Sequence, residues 1–98
     1  MQVRFIALAA EELRAAHEWY AARSEAAAER FIEAVRVAVR RIESEPESHP
    51  IEHKQTRRAA VKRFPYRLVF GVVSEVEILV LAVVHDRRRP GYWRDRRA

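Results

Sequence analysis

The sequence predicts an α+β fold of order β-α-α-β-β-β, with a helical hairpin packed on one face of a small, mainly antiparallel sheet. Three observations predict it. Two neighbouring stretches in the first half carry apolar residues at helical spacing and are separated by a single Ser24. The second half holds short runs that alternate in polarity or are apolar throughout. A single short apolar strand precedes the helices. With 98 residues and no linker-like break, residues 1–98 are expected to form a single domain.

Gln2 to Ile6 reads as the first strand, with Val3 and Phe5 on one face. Ala9 to Arg23 is rich in Ala, Glu and Arg, which favour helix, and Leu13, Ala16, His17 and Tyr20 mark its buried side. That pattern makes His17 a core or interface residue. Ser24 stops this helix and caps the next. Glu25 to Ser44 carries the clearest stripe, Phe31, Val35, Ala38, Val39 and Ile42. Glu33 with Arg36, and Arg41 with Glu45, are placed to pair along it, and Pro46 ends it. Glu47 to Gln55 reads as a polar loop. Three strands follow: Arg58 to Arg63, Tyr66 to Val73, and Glu77 to Val84. Phe64-Pro65 and Ser74-Glu75 make the turns. The last strand is apolar on both faces, as a central strand is. His85 to Ala98 is a basic tail broken by Pro90-Gly91 and anchored by Tyr92 and Trp93, with Trp93 expected to pack as a lid on the edge of the core.

Composition narrows the function. There is no cysteine, which excludes disulfides and thiolate metal sites. His49 and His53 lie four apart in a polar loop without further ligands nearby, so no metal or other cofactor is expected. The N-terminus lacks the apolar stretch of a signal peptide, and Ile78 to Val84 is too short to cross a bilayer. A cytoplasmic location with no membrane partner is expected. Net charge is +5, unevenly spread: residues 1–56 carry eight Lys/Arg against ten Asp/Glu, residues 57–98 eleven against four. A polyanionic or acidic partner met by the C-terminal half is the natural implication.

The strand pattern places these charges. Tyr66, Leu68, Phe70 and Val72 supply the apolar face that the helices need, so Arg67 points to the opposite, uncovered face. The basic tail leaves from the end of the last strand. Arg67 and the 85–97 segment are therefore expected to meet on one open, positive surface.

Phe64-Pro65-Tyr66-Arg67-Leu68-Val69-Phe70, then Ile78 to His85, then Arg87-Arg88-Arg89-Pro90-Gly91-Tyr92-Trp93, together resemble the C-terminal half of the RelE/ParE family of toxins from type II toxin–antitoxin systems. Ala10-Glu11-Glu12-Leu13, Glu18-Trp19-Tyr20 and Phe31 resemble the helical hairpin of that family. The resemblance implies a growth-arresting toxin, and its members divide by target. RelE-like toxins cut mRNA on the ribosome, and this reading comes first here; ParE-like toxins inhibit DNA gyrase with no bond-breaking chemistry of their own. A non-toxic nucleic-acid-binding module is a third reading. The resemblance also implies a cognate antitoxin, an acidic or partly disordered segment in a hetero-oligomer with the toxin.

Metal-free RNA cleavage needs a base, an acid, and cations on the scissile phosphate. Arginine suits the cation role because its planar fork matches phosphate oxygens. Arg67 is similar to the arginine that RelE-like toxins keep in this strand, and Arg87 or Arg88 to a second one beyond the last strand. Tyr92 is similar to the C-terminal tyrosine of the family, which stacks on a base or sits near the phosphate. His85 is the one side chain of the set that ordinarily titrates near neutrality, which makes it the candidate acid or base. Each has a structural alternative: a solvated surface arginine, a histidine bonded in a turn, a tyrosine packed as a lid. Where ribonuclease members carry a lysine pair or a glutamate base, this chain has Glu52, Lys54, Arg57, Arg58 and Lys62, differently spaced.

Overall fold

In the computed structural model, which describes residues 1–97, the chain runs β1 (Gln2–Phe5), α1 (Ala7–Ala21), α2 (Glu25–Ser44), β2 (Ile51–His53), β3 (Thr56–Val61), β4 (Tyr66–Val72) and β5 (Glu77–His85). Pro46–Ser48 forms a single 3-10 turn after α2. The α+β fold is as the sequence predicts: two helices on a mostly antiparallel sheet. It has one strand more than expected, because β2 forms inside the stretch read as a polar loop.

Ser24 acts as foreseen. Its N–H donates to the Tyr20 carbonyl at 2.8 Å, closing α1, and its hydroxyl accepts from the Ala27 N–H at 3.2 Å, opening α2. That removes one orphan donor from the first turn of α2. Glu33 pairs with Arg36 at 3.7 Å and with Arg40 at 3.4 Å, whereas Arg41 and Glu45 form no ion pair among the described residues.

The strands lie in the order β1-β5-β4-β3-β2. β1 runs parallel to β5, and the other neighbours are antiparallel. The β1–β5 register stops at Phe5 opposite Val80, with a last bond from the Ile6 N–H to the Val80 carbonyl at 3.1 Å. β5 continues to His85. Residues 81–85 therefore have β4 on one side and no strand on the other.

The main core lies between helices and sheet. Phe31, Val35, Ala38 and Ile42 of α2 and Ala9 and Ala16 of α1 pack on Leu68, Phe70, Ile78, Val80 and Val83. Phe31, Ile42, Leu68 and Phe70 are fully buried and stabilise the fold by roughly 1.5–3 kcal/mol each. Around Phe31 gather Tyr20 at 5.1 Å, Phe64 at 5.2 Å and Tyr66 at 5.4 Å between ring centres. Tyr66, Leu68 and Phe70 face the helices as expected, but Val72, the last residue of β4, does not join them: it is 47% exposed.

The opposite sheet face is not bare. Gly91, in the left-handed region at φ 75°, turns the tail back along the sheet. Trp93, 2% exposed, then covers Val69, Ala82 and Val84 with Tyr92 beside it. This is the lid expected of Trp93, and it narrows the surface on which Arg67 was expected to stand open.

Candidate functional site

Arg67 emerges from the helix-free face of β4, as the alternation requires, but its guanidinium is occupied. Nε donates to Glu52 Oε1 at 3.2 Å and Nη2 to Oε2 at 3.0 Å, and Nη1 lies 3.9 Å from Asp86 Oδ1. Both partners of the Glu52 pair are largely shielded, at 22% and 15% exposure. Such a two-pronged pair is geometrically specific and leaves Arg67 no free fork for a phosphate. β2 creates it by carrying Glu52 alongside β3. The same carboxylate lies 3.8 Å from Arg58. Arg57 and Arg58 each donate to a backbone carbonyl, of His49 at 2.7 Å and of Ile51 at 2.8 Å.

A cluster of free positive charge lies instead in the turn after β5. Arg87, Arg88 and Arg89 are exposed and make no ion pair among the described residues. Arg88 lays its guanidinium 3.9 Å from the centre of the Tyr92 ring, a cation–π contact that fixes its direction. The expected gathering of residues 67, 87 and 88 on one bare face is thus not what the fold builds. Asp86 stands between Arg67 and that turn, and Arg88 turns towards α1.

Tyr92 is held by a network that the sequence did not announce. Its hydroxyl donates to Glu12 Oε2 at 2.7 Å. Arg96 grips the same carboxylate with two donors at 2.8 and 2.9 Å and also donates to the Leu81 carbonyl at 3.0 Å. Glu12 Oε1 in addition accepts the Val83 N–H at 3.0 Å. Leu81 and Val83 lie on the stretch of β5 that β1 leaves unpaired, so Glu12 and Arg96 satisfy edge groups that a strand would otherwise bond. Burial raises the Glu12 pKa, but the bonds from Arg96, Tyr92 and Val83 outweigh it and leave it lowered. Burial and the bond to Glu12 push the Tyr92 phenol up to about 12, so at neutral pH it stays protonated as a donor.

His85 ends β5 with its ring edge-on to Tyr66, 4.9 Å between centres. Its Nδ1 accepts the Arg87 N–H at 3.0 Å, so in the neutral ring the proton sits on Nε2. His85 and Arg88 belong to one cleft of about 470 Å³ between α1 and the unpaired edge of β5. Ala15, Ala16, Trp19 and Pro65 form its apolar wall, and Tyr20, Tyr66 and Glu12 complete it. Trp19 is 52% exposed and carries Arg23 over its ring at 3.6 Å.

No group of three or more His, Cys, Asp or Glu among the described residues is arranged to hold a metal ion. His49 packs edge-on against Phe70 at 5.4 Å, with Nδ1 3.0 Å from the Glu45 carbonyl; His17 is half-buried on α1. Among the described residues, no helix is long and apolar enough to cross a membrane.

The structure thus brings His85, Arg88 and Tyr92 together beside α1, leaves Arg87 exposed next to them, and ties Arg67 to Glu52. The roles missed were those of Glu12, of Arg96, and of Glu52 as the partner of Arg67. One signal was present for each acid. Glu12 stands three residues after Ala9 and four before Ala16, so a carboxylate falls in line with two buried alanines. Glu52 is the sole acid between Glu47 and Glu75, just ahead of the basic half.

A family model described as "ParE toxin of type II toxin-antitoxin system, parDE" matches residues 3–90. Among solved structures, one titled "Chromosomal ParDE TA system from P. aeruginosa" is similar, with a TM-score of 0.63 and 22% identity over 87% of this chain and 95% of that chain. A likeness at that identity shows the fold. Among curated proteins, none matches.

Proposed function

This chain belongs to the ParE toxin family of type II toxin–antitoxin systems, and from that membership we propose that it arrests growth by binding DNA gyrase through the Arg87-Arg88-Arg89 turn, without breaking a bond itself. One observation carries the reading. Three arginines free of carboxylates, Arg87, Arg88 and Arg89, stand together in an exposed turn, while the strand arginine placed to hold a scissile phosphate is closed by Glu52. Tyr92 also donates its hydroxyl to Glu12 and is too weak an acid to give up that proton near neutrality. A positive turn whose neighbouring imidazole, His85, has its Nδ1 engaged by the Arg87 N–H suits recognition of an acidic surface on the gyrase–DNA complex. The neutralising partner is a cognate antitoxin whose acidic segment covers the same charges.

The test is a purified supercoiling assay. The chain is expected to inhibit gyrase, and replacement of Arg87, Arg88 and Arg89 together by alanine to abolish inhibition while the thermal unfolding of the protein is preserved. Undiminished inhibition by that variant, or supercoiling unaffected by the unaltered chain, overturns the proposal. Ribosome-dependent mRNA cleavage is the second reading, favoured by His85 and Arg88 sharing one cleft. It requires shortened transcripts in a translation extract, with loss of cutting on His85→Gln.

A further inference from the structure

The end of the sheet where β3 stops, β4 starts and β5 stops gathers cations from three parts of the chain. Val61 lies opposite Tyr66, and Tyr66 opposite His85, so the turn at 62–65 and the turn after His85 are neighbours. They are bonded to each other, since the Asp86 N–H donates to the Pro65 carbonyl at 2.9 Å. Phe64 anchors the first turn inward, its ring 5.2 Å from that of Phe31 on α2. This brings Arg30 to the same end, where it lines a cleft of about 500 Å³ with Lys62 and Arg63. Arg30, Lys62, Arg63, Arg87, Arg88 and Arg89 are all exposed, and none of them forms an ion pair among the described residues. Acids do not balance them. Asp86 is the one acid in the two turns, and it faces Arg67 at 3.9 Å. Glu33, in the cleft with Arg30, is shared by Arg36 and Arg40.

Arg63 supplies a second observation. Its backbone is left-handed, with φ at 72°, a region that strains residues with a side chain and suits glycine. The turn thus holds an arginine where a glycine would relax it, and such strain gathers where the side chain serves a partner.

The backbone of this basic pole is closed. The N–H groups of Phe64, Asp86 and Arg88 donate to the carbonyls of Val61, Pro65 and His85, and that of Arg87 donates to His85 Nδ1. No strand edge opens between the two turns, because β4 pairs with β3 at Tyr66 on one side and with β5 at the same residue on the other. An extended peptide is gripped largely through its own backbone. The pole offers side-chain cations instead, most of them guanidinium forks that match phosphate oxygens. Charges spread over three elements and backed by no backbone donors suit a polyanion with evenly spaced phosphates.

We propose that this pole binds the phosphate backbone of duplex DNA without reading its sequence, with Arg30, Lys62 and Arg63 extending the contact made by the Arg87-Arg88-Arg89 turn. The inference rests on the reading that the target is the gyrase–DNA complex, and it names the DNA of that complex, not a protein surface of gyrase, as what the charges meet.

The test follows the fluorescence anisotropy of a labelled twenty-base-pair duplex of mixed sequence with the purified full chain, over a series of KCl concentrations. Binding is expected to weaken with salt at a log–log slope of roughly −4 to −5, about −0.9 for each phosphate met. Lys62→Ala and Arg63→Ala together are expected to reduce the magnitude of that slope by about two, and Arg63→Gly alone by about one. Arg63→Gly is expected to do so with no loss of thermal stability, because glycine suits that φ. Arg4→Ala, which removes a cation of β1 paired with Glu77, is expected to leave the slope unchanged. No binding to the duplex, a slope untouched by the turn substitutions, an equal fall with Arg4→Ala, or displacement of the duplex by polyglutamate at equal charge each overturns the proposal. Supercoiling is read separately on the same preparation. Inhibition of gyrase by a chain that does not bind the duplex removes the DNA contact and leaves the gyrase reading standing. Duplex binding with the expected slopes by a chain that leaves supercoiling unaffected supports the basic pole and removes the gyrase reading.

Discussion

Replacing Glu12 by glutamine removes the junction of α1, β5 and the tail. The wild-type carboxylate receives four hydrogen bonds, two from Arg96, one from Tyr92 and one from the Val83 N–H. Glu12 and Arg96 are 16% and 14% exposed, so solvent screens the pair little. A neutral amide keeps at most two acceptor bonds through its one oxygen and turns an NH₂ group towards the Arg96 donors. Loss of charge-assisted bonds at about 1.5–3 kcal/mol each, partly replaced by weaker neutral ones, gives a destabilisation of roughly 2–4 kcal/mol. For a domain of this size that is a fall in melting temperature of roughly 10–20 °C. The pH dependence gives a second signature. The folded protein holds Glu12 ionised below the ordinary glutamate value of about 4.3, so the unfolded chain takes up the proton first as pH falls. The stabilisation is complete above that value and drains away as the pH drops through the lowered folded value. Thermal melts of both proteins from pH 7 down to pH 3 are the assay, with the difference between them expected to shrink towards the acid end. A melting temperature within 3 °C of wild type at pH 7, or a difference that grows on acidification, refutes the reasoning.

Glu52→Gln is expected to destabilise by about 1–3 kcal/mol in urea titrations and, by freeing Arg67, to raise retention on a heparin column. Trp93→Ala is expected to cost about 3–5 kcal/mol, since it uncovers Val69, Ala82 and Val84. Trp93→Phe is expected to cost less than half of that, because the buried indole Nε1 has no hydrogen-bond partner to lose; the same titrations measure both. Ser24→Ala, which deletes the cap on Ala27, is expected to cost about 1 kcal/mol, seen as a fall in melting temperature of about 5 °C.

Much of the fold was legible because it depends on local periodicity. The stripe on α2, Ser24 between the helices, and the alternation of Tyr66, Arg67, Leu68, Val69 and Phe70 each follow from residues a turn or a pleat apart. β2 was not legible for a physical reason. Its three residues sit at the sheet edge with Ile51 58% exposed, so no burial pattern marks them. They are strand only because β3 offers backbone partners, such as the Arg58 N–H that reaches the Pro50 carbonyl at 3.0 Å. That unmarked strand brings in Glu52, and Glu52 changes what Arg67 is. The start of α1 at Ala7, two residues earlier than expected, has a similar cause. Ile6 caps it without a side-chain bond, so the boundary is set by where Ile6 leaves β1 and not by a capping residue.

The candidate site shows the same division between local and distant information. Arg67, Arg87 and Arg88 look equivalent along the chain: each is an arginine in or just after a strand of the basic half. They differ in what comes to meet them. Glu52 approaches Arg67 from 15 positions away. Glu12 approaches Arg96 across 84, and in doing so fixes the tyrosine on which Arg88 rests. Spacing within the chain carries no information about such meetings, because they are set by how the tail folds back and by where β1 runs out. A guanidinium engaged on both prongs by a shielded carboxylate has already exchanged its hydration for a partner, so a phosphate must displace that carboxylate before it can bind. An exposed guanidinium stacked on a ring has its direction fixed and its charge unspent. Opportunity for an anionic partner therefore passes from the strand, where the sequence pattern pointed, to the turn beyond it.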